Sequence, residues 1–241
     1  PTKIHIIAHS MGARVTSQAL ARIAAEGEVT ETSRTKDADL GEEKKFGELI
    51  FAAGDIDNAL FQKWAGAAIS NVDGITIYTS RHDGSVRLST MFRKITLPLT
   101  AWGKEKRSRV GYVRKGENPF VLKLDVLSEE ARKKRAHTVD ISDLARSTYF
   151  YVLNWKEWFV ANHSNYASTF TVTDDILYVL CNTGEMNPEQ RGVAKAHTCN
   201  VYGDDVTGDD KTTYWRMSKD VRKITRDGCK TEFQKSQSTA H

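Results

Sequence analysis

Four side chains could together move a proton from a hydroxyl to a base: Ser10, Asp55, Asp83 and His163, in that order along the chain. A serine hydroxyl is a poor nucleophile until a base removes its proton. The base in turn needs a carboxylate that fixes its tautomer and stabilises the imidazolium. Ser10 sits in Ala8-His9-Ser10-Met11-Gly12, with a small residue two before it and another two after. That spacing suits a sharp strand-to-helix turn in which backbones come close. Plain readings stand beside the chemical ones. Any tight turn accepts a serine, Asp83 could cap a helix over 84–92, and His163 could be a surface loop residue. The three together, in this order, favour chemistry.

The elements around them must do the positioning. Residues 4–8 read as a short strand rich in β-branched residues. Met11, Val15, Ala19 and Ile23 recur every four residues and predict a helix reaching about Ala25. Residues 27–45 read as a surface loop. Residues 47–54 form a second strand leading into Asp55 and Asp57, and 58–70 a helix with Leu60, Trp64 and Ala68 on one face. Residues 74–80 form a third strand ending at Arg81-His82-Asp83, followed by a short helix over 84–92. A fourth strand is predicted near 137–142, an aromatic-rich stretch over 147–167, and a helix over 172–180. This alternation predicts a parallel sheet with helices on its faces. In such sheets ligands bind beyond the carboxyl ends of the strands, where Ser10, Asp55 and Asp83 all fall.

Composition narrows the classes. A net charge of +4 over 241 residues gives no field that argues for nucleic acid. No apolar run approaches the roughly 20 residues that span a bilayer. Cys181, Cys199 and Cys229 make neither a CxxC pair nor a disulfide framework, and lean towards a reducing, cytoplasmic setting. The acidic 203–210 stretch lacks the ligand spacing of a calcium loop. The basic stretch 104–115 reads as a solvated insertion. Residues 1–192 are expected to form one domain. Residues 193–241 show no periodic core face and are expected to be a polar tail, loosely packed or disordered.

Taken together, "HIIAHSMGARV", "FGELIFAAGDIDNALF", "ITIYTSRHDGSVRLS", "VDISD" and "NHSNYASTFTVTDDILYVL" resemble the esterase- and lipase-like members of the α/β-hydrolase superfamily. The family in question has long been known only as a domain of unknown function. The resemblance covers roughly residues 3–192. It implies a parallel-sheet α/β-hydrolase fold that starts at the nucleophile strand. Ser10 would be the nucleophile, His163 the base and Asp83 the orienting acid, with Asp55 in reserve. The N–H of Met11 would form part of an oxyanion hole. No cofactor and no metal are implied; the substrate would be a small-molecule or lipid acyl ester. Two departures stand out: Ala8 replaces the first glycine of G-x-S-x-G, and Asn162 replaces the glycine before the histidine. Such enzymes carry further strands before the nucleophile strand. The resemblance therefore implies a domain lacking its N-terminal strands, completed by a missing N-terminal segment or an oligomer partner. The alternative is a non-catalytic truncated remnant or interaction module of the same fold.

Overall fold

The structure is a computed structural model, and it describes residues 3–31, 46–96, 108–114, 117–123, 136–144, 163–181, 193–197 and 213–217. Its first strand, β1 (Ile6–His9), enters helix α1 (Gly12–Glu31). Strand β2 (Phe46–Ala52) follows, then α2 (Asn58–Ala68), β3 (Val72–Thr79) and α3 (Gly84–Thr96). Strand β4 (Ala136–Asp140) precedes two helices, α4 (Asn165–Ser168) and α5 (Phe170–Cys181). Strands β5 (Val193–His197) and β6 (Thr213–Met217) close the series.

The strands form one six-stranded sheet in the order β1-β2-β3-β4-β6-β5. All neighbours pair in parallel except β5, which runs antiparallel on β6. Strands β2 and β3 are buried along nearly their whole length, as expected when both faces of a parallel sheet are covered. The pleat divides their side chains between two cores. Leu49, Phe51, Ile75 and Ile77 face one side, packed with Ala13 and Leu20 of α1 and Phe61 and Ala65 of α2. Ile50, Ala52 and Tyr78 face the other, with Val86 of α3 and Val172 and Val179 of α5. The result is a layered α/β fold, as the alternation of elements predicted.

Three expectations need correction. First, α1 presents Ala13, Ser17, Leu20 and Ala24 to the sheet, while Met11 (72% exposed) and Val15 (70%) point outward. The apolar stripe read from the sequence is largely not the buried face. Helix and strands approach so closely here that small side chains fit better than large ones: the Ala13 Cβ lies beside the bare Cα of Gly54. The helix also continues to Glu31, so the expected loop begins later than residue 27.

Second, residues 108–113 are not a solvated insertion. Arg109, Val110 and Val113 are buried, and the segment is stitched across the ends of β2 and β3. Its backbone bonds run from Val110 N to Ile56 O, Gly111 N to Gly54 O, and Ser80 N to Gly111 O. The rest of the basic stretch, apart from Arg114, lies outside the described residues, as does the aromatic stretch before His163.

Third, β5 and β6 fall within the expected polar tail. Tyr214, Arg216 and Met217 are buried, and Arg216 Nη2 reaches Asp143 Oδ2 at 3.0 Å. Five-residue strands beside a polar, acidic stretch leave little periodicity to read. It is the open edge of β4, rather than their own pattern, that orders them.

Gly111 is where the strap presses hardest, because a methyl there would overlap the backbone atoms Ala53 C and Gly54 N. Gly111→Ala should therefore cost about 1–3 kcal/mol or more of stability, read from the urea midpoint. An unchanged midpoint would mean that the strap yields freely.

Candidate active site

Ser10 occupies the turn between β1 and α1 with φ of 53°, the left-handed region that a non-glycine residue seldom adopts. Such a conformation costs on the order of 1–3 kcal/mol and persists only where the surroundings over-determine it. They do so here through the backbone. Ser10 N donates to Ala52 O at 3.0 Å, and Ser10 O accepts from both Ala13 N at 3.1 Å and Asp55 N at 3.0 Å. Both polar groups of this peptide are thereby committed to β2 and the first turn of α1. Next to it, Ala53 is also left-handed, with φ of 51°, and the 108–113 strap packs against it.

Asp83 follows β3 and is fully buried. One of its oxygens, Oδ1, accepts from Val86 N at 3.0 Å and so caps α3. The same carboxylate meets His163 Nδ1 at 3.0 Å from Oδ1 and 2.9 Å from Oδ2. The capping role and the histidine-orienting role are thus not alternatives, because a carboxylate has enough lone pairs for both. A carboxylate accepts only, so Nδ1 of neutral His163 carries the proton and Nε2 is left bare, the tautomer a general base needs.

The reserve acid, Asp55, is engaged elsewhere. Its Oδ1 accepts from Ser89 Oγ at 2.9 Å and lies 3.3 Å from Arg109 Nε. Asp57, at the same strand end, is the N-cap of α2 and accepts from Ala59 N at 3.1 Å. Met11 directly precedes α1 with its side chain outward, and its backbone lies at the positively polarised N-terminal end of the helix. Among the described residues no cluster of His, Cys, Asp and Glu could hold a metal ion, and no helix is long and apolar enough to cross a membrane.

Two residues at this edge had no assigned role from sequence. His9 donates from Nε2 to the backbone carbonyl of His163 at 3.0 Å, and their rings lie 4.7 Å apart. Tyr166 is buried, with its ring edge-on to His9, and its hydroxyl closes no hydrogen bond. No periodic signal marks either contact; both join segments more than 150 residues apart in sequence.

A parallel sheet flanked by helices, with a strained serine turn on one strand end and an aspartate–histidine pair reaching across its neighbours, defines the α/β-hydrolase class of fold. Sequence comparison agrees: residues 1–173 match the family described as "Alpha/beta hydrolase of unknown function (DUF900)", and the chain belongs to it. No match was found among curated proteins or among solved structures.

Burial pushes the Tyr166 phenol well above its ordinary value, and the Asp83 and Asp140 carboxylates add to the shift; the nearby Ala53 N–H opposes it in part. A phenol that holds its proton more tightly when folded stabilises the fold fully below its unfolded value of about 10, and that stability is lost as pH rises beyond it. Tyr166→Phe should therefore flatten the alkaline decline of the urea midpoint above pH ~10. At neutral pH it should change stability by less than about 1 kcal/mol, since the hydroxyl's approach to the Ala53 N–H falls short of a full hydrogen bond. A steeper alkaline decline in the variant would contradict this account.

Proposed function

We propose that this chain is a serine hydrolase acting on carboxylic esters, small-molecule or lipid, through an acyl-enzyme. The observation that carries the reading is the Asp83–His163 pair at 2.9–3.0 Å, set on the same sheet edge as a serine held at φ of 53°. Ser10 Oγ attacks the acyl carbonyl while His163 Nε2 takes its proton. Asp83 holds the imidazole and stabilises the imidazolium. The oxyanion forms beside the N–H of Met11. Collapse of the tetrahedral intermediate expels the alcohol, which His163 protonates. Water, deprotonated by the same histidine, then releases the acid and restores Ser10.

The spacing supports this division of labour. Strands β1 and β3 are separated by β2, so their ends stand roughly 10 Å apart. A serine and an aspartate at those ends cannot touch directly, so in this reading an imidazole links them.

A fluorophosphonate probe should label the wild-type chain, and Ser10→Ala should abolish the labelling. Labelling that survives in that variant overturns the assignment. Folded wild-type protein that neither labels nor turns over p-nitrophenyl esters would support the non-catalytic alternative.

Asp83→Asn keeps an oxygen that can cap α3 but selects the wrong histidine tautomer. It should lower kcat by on the order of 10⁴ while costing little stability. Asp55→Asn, by contrast, should leave kcat within a few-fold. The reverse ranking would give the acid role to Asp55.

A further inference from the structure

We propose that His9 is a positioning residue for His163, a strut that ties the base to the nucleophile turn; the role rests on the reading of Ser10 and His163 given above. His163 is held at two points. Its ring is fixed by Asp83 at the end of β3 through Nδ1. Its backbone carbonyl accepts from His9 Nε2, at the end of β1, at 3.0 Å. Because a carbonyl oxygen only accepts, His9 Nε2 must carry the proton in this contact.

The two anchors lie on opposite sides of β2 and on different parts of the residue. Asp83 alone fixes how the ring is rotated but leaves the backbone of residue 163 free to shift. The His9 bond fixes that backbone relative to the peptide next to Ser10. His9 precedes Ser10 directly, so the strut measures from the nucleophile itself. The ring contacts reinforce it: His9 lies 4.7 Å from the His163 ring and 6.1 Å from that of Tyr166, which begins three residues after the base.

The plain alternative is that His9, an exposed side chain, makes an incidental surface bond. The two accounts differ in what they affect. A single exposed hydrogen bond contributes little to stability and nothing to the placement of a distant reacting group. A displacement of about 1 Å between a base and its nucleophile can cost on the order of 100-fold in rate.

The test uses the full chain with two substitutions. His9→Phe keeps a ring of similar size but removes the donor; His9→Gln keeps an amide N–H at a reach similar to Nε2. Three quantities are measured: the rate of fluorophosphonate labelling at Ser10, kcat and KM for a p-nitrophenyl ester, and the low-field proton NMR signal of His163 Nδ1–H. Thermal unfolding confirms that each variant is folded.

The expected result is a 10- to 100-fold loss of labelling rate and kcat in His9→Phe with KM within about two-fold. The His163 Nδ1–H signal should broaden or shift, and His9→Gln should recover most of both. Wild-type labelling and an unchanged signal in His9→Phe would overturn the proposal. So would equal losses in the Phe and Gln variants, because the donor would then not matter. If the wild-type chain does not label at all, the hydrolase reading fails by itself, and the NMR signal alone decides whether His9 positions His163.

Discussion

The backbone of Ser10 is the constraint on which the sheet edge depends. Its left-handed conformation turns the chain from β1 into α1 within two residues, and three backbone hydrogen bonds hold it there. One of these ties the turn to Ala52 on β2, another to the peptide of Asp55. The loop beyond β2 must therefore come close to the start of α1, and it does so only because the residues at the contact are small. Ala13 lies against Gly54, and Gly111 presses its bare Cα onto Ala53. Larger side chains at these points would push the helix or the strap away and leave Ser10 without the contacts that sustain its strain.

From that fixed point the rest of the edge is set by strand spacing. A parallel sheet delivers its loops at intervals of about 5 Å, so the ends of β1 and β3, one strand apart on either side of β2, are too far apart for direct contact. His163 enters from a segment that follows β4, and α4 and α5 come directly after it. Helix α5 packs onto β2 and β3 through Val172, Val179 and a buried bond from Tyr78 Oη to Asp175. The histidine is thus carried by a short turn attached to a firmly packed helix. The same arrangement puts the carbonyl of His163 over His9, so the turn that holds Ser10 also touches the segment that holds His163.

Asp83 shows why local and long-range roles need not compete. As the residue before α3 it is well suited to cap that helix, and it does. Burial alone would make such a carboxylate costly, but here its oxygens also meet His163 Nδ1. Capping α3 and orienting His163 are therefore compatible for one carboxylate. Asp55 and Asp57, equally well placed at the end of β2, differ in the partners the fold supplies. Arg109 and Ser89 engage Asp55, while the first turn of α2 engages Asp57.

The sequence by itself determined the alternation of strands and helices, the parallel sheet, and the presence of Ser10, Asp83 and His163 at or beyond strand ends. Those features are local: β-branched runs, four-residue periodicity and small residues around a serine act over a few positions of chain. Only the tertiary structure decided which face of α1 is buried, that residues 108–113 form a buried strap, that β5 and β6 extend the sheet, and that His9 reaches the carbonyl of His163. Each of these depends on surfaces brought together from distant parts of the chain. A short segment such as Tyr214-Trp215-Arg216-Met217 has no pattern strong enough to announce itself and becomes a strand because β4 offers an edge to pair with. In α1 the close approach demanded by Ser10 outweighed the preference for burying the larger apolar side chains, and no spacing along the sequence records that approach.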